Sequence, residues 1–206
     1  MFDMTVYVVR HGETRYNKAH LLQGEVDIEL NEYGRELARL TAEGLKDIHF
    51  DRVFSSPLCR ARETARIIMG DRDIPFTEDA RIQEISLGEY EGLCFGQENY
   101  NIPDPDFMYF FSAPERYKTA PKGESFEEVI ARTGAFWEEL THDPENAGKT
   151  ILVTAHGASI RGLLSYIRKT PISGYWGTGL FKNCAVAILK VSPDGVETVE
   201  EGKVYY

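Results

Sequence analysis

The sequence predicts an α/β protein with a layered sheet. Three observations carry that expectation. Short β-branched apolar runs of strand length recur along the chain, as in Thr5-Val6-Tyr7-Val8-Val9. Between them lie segments whose apolar residues return at helical spacing. No repeat, low-complexity tract or Gly/Ser linker divides the chain, so residues 1–206 are expected to form one domain. Strands alternating with helices are the pattern of a sheet covered by helices.

The elements follow in order. Residues 5–9 form a buried strand that stops at Arg10-His11-Gly12. Asn31 caps a helix to about residue 47, with Leu37, Leu40, Thr41, Gly44 and Leu45 on one face. Residues 50–54 are a second strand. Ser55-Ser56-Pro57 supplies a cap with proline near the first helical position, and Leu58, Ala61, Ala65 and Ile68 turn inward along a helix to about Met69. Residues 74–77 are a weak third strand. Residues 89–124 differ: they hold four prolines, and seven aromatics between Phe95 and Tyr117, without a period, and read as an irregular insertion over the core. Ser125 with Glu128 makes a capping box. The helix it opens carries Phe126, Val129, Ile130, Thr133, Phe136, Trp137 and Leu140 as a stripe. A strand at 150–154 ends in Ala155-His156-Gly157, and a helix covers 159–168. Strands at 185–191 and 196–199 flank Ser-Pro-Asp-Gly, a hairpin signal.

Composition narrows the function. The chain has 206 residues, 42% of them hydrophobic, enough for a sizeable core. A formal charge of -10 argues against nucleic acid or an anionic membrane as partner, since both require a basic surface. No apolar run approaches the roughly 20 residues of a membrane helix. The first ten residues hold Asp3 and lack a basic region before their apolar run, unlike a signal peptide. Cys59, Cys94 and Cys184 are odd in number and widely spaced, which suits neither a disulfide framework nor a zinc site. A cytoplasmic protein is expected, with a homodimer compatible.

Chemistry gathers where strands end. Two strands run into a histidine followed by glycine, at His11-Gly12 and His156-Gly157, and a third leads to Arg60 in the first turn of its helix. In open α/β sheets, ligands bind beyond the carboxyl ends of the strands. His11, His156, Arg10 and Arg60 should therefore reach one rim. Arginine forks and helix N-termini suit a tetrahedral oxyanion such as phosphate. No acidic cluster accompanies these histidines, so no metal is expected.

Arg10-His11-Gly12-Glu13-Thr14 with Asn17 resembles the signature of the histidine phosphatase superfamily, also called phosphoglycerate-mutase-like. The resemblance continues through Gln23-Gly24, Asp27, Leu30 and Gly34, then Ser55-Ser56-Pro57-Leu58-Cys59-Arg60-Ala61 with Thr64. It resumes at Glu84 with Gly88, Glu91 and Gly92, at Gly123-Glu124-Ser125, and at His156-Gly157 with Ile160-Arg161. These matches span nearly the whole chain in the family's order. They imply a three-layer α/β/α sandwich around a mostly parallel sheet, with the segment at 89–124 as a cap insertion. They also imply a metal-independent, cofactor-free phosphomonoesterase of histidine acid phosphatase type, acting on a small phosphorylated substrate.

Carried over, the resemblance makes His11 the nucleophile that becomes phosphorylated. Arg10, Arg60 and His156 surround the phosphoryl group, Asn17 adds a polar contact, and Glu84 gives a proton to the leaving oxygen. Gln23 and Gly157 complete the implied substrate contacts. The chemistry agrees. A neutral imidazole is a good nucleophile, provided its other nitrogen donates to a fixed acceptor. Charge on the transferring phosphoryl group asks for cations around it. The departing alkoxide needs a proton. Glu89 and Glu91 lie close to Glu84 and compete for that role. Arg15, Arg62 and Arg66 read as surface charges, and His20, His49 and His142 as structural.

Hydrolase and mutase compete within the resemblance. Cofactor-dependent phosphoglycerate mutases carry a histidine-tyrosine pair where this chain has Ser86-Leu87, and a longer insertion afterwards. Both departures favour hydrolysis. A non-catalytic phospho-ligand binder would have lost His11 or Glu84, and neither is lost. In the insertion, Phe95, Tyr100, Phe107, Tyr109, Phe110, Phe111 and Tyr117 either line a pocket for an apolar leaving group or build the segment's own core. Arg116, Lys118 and Lys122 either meet a second anion or are solvated.

Overall fold

The computed structural model describes residues 1–206. Its strands are β1 (Met4–Arg10), β2 (Arg52–Ser55), β3 (Phe76–Glu78), β4 (Thr150–Ala155), β5 (Val186–Ser192) and β6 (Gly195–Lys203). They form one sheet in the order β3-β2-β4-β1-β5-β6. The four strands β3, β2, β4 and β1 run parallel, while β5 and β6 are antiparallel additions at one edge. The helices are α1 (Arg15–Lys18), α2 (Glu32–Gly44), α3 (Cys59–Met69), α4 (Tyr109–Ser112), α5 (Phe126–His142) and α6 (Gly157–Arg168). This is the α/β class that the alternation of elements predicts.

Consecutive strand residues face opposite layers, and in a central parallel strand both faces are apolar. Val6 and Val8 of β1, with Ile151 and Val153 of β4, pack against Phe136, Trp137 and Leu140 of α5 and Ile160, Leu163 and Leu164 of α6. Val9 and Leu152 point the other way, towards Ala65 and Ile68 of α3 and Leu45 at the end of α2. No helix is long and apolar enough to cross a membrane.

Several boundaries move from their predicted places. The strands at 50–54 and 74–77 form at Arg52–Ser55 and Phe76–Glu78, and Phe50 is buried outside the ladder. Asn31 caps α2, its Oδ1 accepting from Gly34 N at 2.7 Å, but the buried face is Leu37, Ala38 and Thr41. Leu40 is exposed, and Gly44 meets the ring of Tyr205 rather than the core. Neither serine caps α3. That helix starts at Cys59, and the Cys59 N–H donates to Asp27 Oδ1 at 2.7 Å, from a loop 32 residues earlier. The last helix begins at Gly157, two residues before its predicted start, with His156 as its N-cap residue. The second hairpin strand extends to Lys203.

The segment at 89–124 holds only short turns and the single-turn helix α4. Phe107 and Phe110 are buried, in a cluster with Leu22, Ile85, Phe126, Tyr175 and Trp176. The insertion is therefore fastened over the loop after β1 and the start of α6, beside the carboxyl ends of the parallel strands.

Candidate active site

Gly12 sets the local backbone after β1. A Cβ there would lie 2.5 Å from the Gly34 carbonyl oxygen, and one on Gly34 would lie 2.1 Å from that of Glu13. Two glycines let the start of α2 press against the loop, and the Gly12 N–H donates to Thr64 Oγ1 at 3.0 Å. The loop so fixed presents His11, which is 2% exposed.

The two imidazoles lie with ring centroids 5.1 Å apart, and their hydrogen bonds differ. His11 Nδ1 is 2.7 Å from the Gly12 carbonyl oxygen. A carbonyl can only accept, so Nδ1 carries the proton and Nε2 keeps its lone pair. His156 has both nitrogens engaged: Arg60 Nε donates to Nδ1 at 3.2 Å, and Nε2 lies 2.7 Å from Ser56 Oγ. Since Arg60 can only donate, Nε2 of the neutral ring must be the donor to Ser56. Burial pushes the pKa of both rings well below the ordinary histidine value, and the Arg60 and Arg10 guanidinium groups add to the effect. Both are therefore neutral at pH 7.

The arginines are held by backbone carbonyls. Arg60, completely buried, donates through its two terminal nitrogens to the carbonyls of Val26 (2.8 Å) and Gly24 (2.7 Å). Burial pushes its pKa down to about 10, with Glu84 and Asp27 opposing, so it remains a cation near neutrality. Arg10 donates to the Phe181 carbonyl, and its Nε is buried without a protein partner.

Glu84, 9% exposed, is tied to the N-terminus of α6. Its Oε1 accepts from the N–H groups of Ile85, Ala158 and Ser159, each at 3.0 Å, and Oε2 only from Ala158, at 3.1 Å. The other two glutamates lie elsewhere. Glu91 accepts from the N–H groups of Glu25, Val26 and Leu87, bracing the loop that Arg60 holds. Glu89 pairs with Lys122 at the surface.

Asn17 spends its Oδ1 on the Thr14 N–H and hydroxyl, and Gln23 Oε1 accepts from the same hydroxyl. Both line a cleft with Arg10 and Glu84, and Gln23 Nε2 there is buried without a partner. Gly157 opens α6, and a Cβ on it would fall 2.6 Å from Leu180 Cδ1. The rest of the cleft is apolar. Phe95, Phe110 and Phe111 come from the insertion, while Trp176 and Leu180 come from the segment between α6 and β5. Phe107 and Tyr117 are packed among other rings instead. Arg116, Lys118 and Lys122 are exposed and do not line the cleft; Arg116 stacks on Tyr109 at 3.8 Å. Arg15 is exposed, and Arg62 faces Glu78. His20, His49 and His142 are exposed, with the ring of His20 edge-on to Phe95 at 5.8 Å between centroids.

Sequence reasoning missed Ser56, Asn183, Trp176 and Leu180. Asn183 Nδ2 donates to the His11 carbonyl at 3.1 Å. Ser56 falls in the Ser55-Ser56-Pro57 motif, which by sequence predicts a helix cap rather than a partner for His156. The other three lie in a segment with no period to read.

Comparison with known proteins shows the family. The family model of the histidine phosphatase superfamily (branch 1) matches residues 6–202. The uncharacterized phosphatase PhoE of Bacillus subtilis is 34% identical over 79% of this chain and 76% of its own length. Phosphoglycerate mutase 1 of Saccharomyces cerevisiae is 32% identical over 78% of this chain and 76% of its own. The solved structure of Bacillus stearothermophilus YhfR superposes with a TM-score of 0.87 at 32% identity, covering 98% of both chains. The chain belongs to the histidine phosphatase superfamily, whose members among its relatives include phosphatases and phosphoglycerate mutases.

Proposed function

We propose that this protein is a metal-independent phosphomonoester hydrolase working through a phosphohistidine at His11, on substrates whose leaving group is largely apolar. The observation that carries the mechanism is the hydrogen bond from His11 Nδ1 to the Gly12 carbonyl, which leaves Nε2 unprotonated and buried beside two arginines.

In the first step the Nε2 lone pair attacks phosphorus. The bond from phosphorus to the ester oxygen breaks, and that oxygen takes a proton from Glu84. Arg10 and Arg60 supply positive charge and donors for the equatorial oxygens, while His156, its Nδ1 accepting from Arg60 Nε, holds that guanidinium in place. In the second step Glu84 takes a proton from water and the hydroxide attacks phosphorus. The P–N bond breaks, its electron pair returns to Nε2, and inorganic phosphate leaves. Oε2 is the less committed oxygen of Glu84 and the one to hold the proton. Glu84 is the only carboxylate lining the cleft, so the residues there suit an anion better than a divalent cation.

The apolar lining supports hydrolysis of ring-bearing or alkyl esters over phosphoglycerate isomerisation. A glycerate carboxylate would face Phe95, Phe111, Trp176 and Leu180 with no cation beyond those that bind phosphate. A panel of phosphomonoesters should release inorganic phosphate, fastest where the alcohol is aromatic, and exhaustive chelation should leave the rate unchanged. With 3-phosphoglycerate and catalytic 2,3-bisphosphoglycerate, isomerisation should be slow. Efficient isomerisation with little phosphate release would instead establish a mutase.

A further inference from the structure

Glu84 stands on irregular backbone, yet a proton donor must hold its oxygen to within a fraction of an ångström. Its carboxylate is fixed by α6. Its main chain is fixed by α5, through Arg132. Nη1 of Arg132 donates to the carbonyls of Arg81 (2.7 Å) and Gln83 (2.8 Å). Nη2 donates to the carbonyl of Glu84 itself (3.1 Å) and to Glu124 Oε2 (2.8 Å), and Nε donates to Glu124 Oε1 (2.6 Å). All five N–H bonds of the guanidinium are thereby spent, so Arg132 has no donor left for a substrate. Glu124 grips the other side of the loop. Its N–H donates to the Ser86 carbonyl at 2.9 Å, and its Oε2 receives the Ser86 N–H at 3.4 Å. Neither residue lines the cleft.

We propose that the Arg132–Glu124 pair positions the proton donor: it clamps the main chain on both sides of Glu84 and so aims Oε2 at the leaving oxygen. This rests on the reading of Glu84 as the acid, and it assigns to α5 a part in the chemistry that none of its side chains touches. A lysine at 132 would keep the charge but lose the planar fork that reaches three carbonyls and a carboxylate together.

A pair that only held the fold together would lower activity on every substrate alike. A pair acting through Glu84 has a different signature, because protonation limits the reaction only when the leaving group is poor. The test measures kcat and KM for p-nitrophenyl phosphate and for an alkyl phosphate in wild type, Glu84→Gln, Arg132→Lys, Glu124→Gln and the double variant Glu84→Gln/Arg132→Lys. Folding is checked by circular dichroism and thermal unfolding. Glu124→Gln keeps the shape of the side chain if Arg132→Lys fails to fold. Each of the two clamp variants is expected to slow the alkyl ester by roughly 10- to 100-fold more than the aryl ester, chiefly in kcat. In the Glu84→Gln background, Arg132→Lys should add no further selectivity, since both act on one function. Equal losses on both esters in the clamp variants, with Glu84→Gln still selective, would overturn the proposal and leave the pair structural. If Glu84→Gln itself shows no selectivity between the esters, the reading of Glu84 as the acid fails, and the proposal with it.

Discussion

Two histidines follow two strands in the same way, and hydrogen bonding alone separates their roles. His11 gives Nδ1 to a carbonyl and keeps Nε2 for phosphorus. His156 has Nδ1 taken by Arg60 and Nε2 by Ser56, so no lone pair is left to attack. That difference is tertiary: the Gly12 carbonyl is adjacent in sequence, but Ser56 and Arg60 arrive from β2 and α3. The lowered His11 pKa has a kinetic consequence. The nucleophile stays neutral on acidification past the pH at which an ordinary histidine would protonate, near 6.5. After correction for the substrate's own ionisation, the acid limb of kcat/KM should therefore lie below pH 6.5. An enzyme limb at or above that value would show that burial and the arginines do not govern the ring.

At the scale of elements, two helix N-termini organise the site. The start of α6 carries His156 as its cap residue and offers the Ala158 and Ser159 N–H groups to Glu84. The start of α3 carries Arg60 and takes its cap from Asp27, in the same loop whose carbonyls Arg60 grips. Asp27→Ala removes that cap, so urea unfolding should show a loss of about 1 kcal/mol, together with weaker phosphate binding as the loop at 23–27 loosens. An unchanged midpoint would mean that the cap is replaced by water at no cost. These elements also show what the sequence makes legible. The strands of the sheet's centre and the stripe of α5 are local patterns, set by burial on two faces or one, and they emerge where expected. The cap of α3 comes from 32 residues away, so a local reading assigned it to Ser55 and Ser56. Spacing alone puts Leu40 on the buried face of α2, whereas the packed strip runs through Leu37, Ala38 and Thr41. The motif histidines and arginines were legible because each follows a strand end. Trp176, Leu180 and Asn183 were not, because only the closing of β5 against β1 brings their segment over the site.

For the whole molecule, a site of buried neutral bases has a stability consequence. His11 and His156 have folded pKa values below their unfolded ones. Between the folded value and about 6.5 the unfolded chain binds more protons, so stability rises with pH across that window and is lost on acidification through it. The carboxylates depressed by partners, Asp79 beside Arg81 and Glu201 beside Arg168 and Arg161, lose their contribution only at lower pH, below their ordinary values of 3.8 and 4.5. Urea unfolding should therefore show a decline beginning as pH falls below about 6.5, well before the carboxylates protonate. His11→Gln should make it shallower and leave the His156 share, since glutamine does not titrate. A flat profile for wild type from about pH 7 to about pH 5 would contradict the burial of two neutral imidazoles.

The covalent intermediate is the claim on which the rest depends. Rapid alkaline quench during turnover of a phosphate-labelled ester, followed by peptide mapping, reads it directly, since a phosphohistidine survives base and not acid. The label is expected on the peptide bearing His11, and with an aryl ester, whose leaving group needs little protonation, its stoichiometry should rise in Glu84→Gln, where activation of water is the step that slows. It should be absent in a folded His11→Ala protein, whose turnover should drop by several orders of magnitude. Label on another residue, or undiminished turnover in folded His11→Ala, would contradict the mechanism.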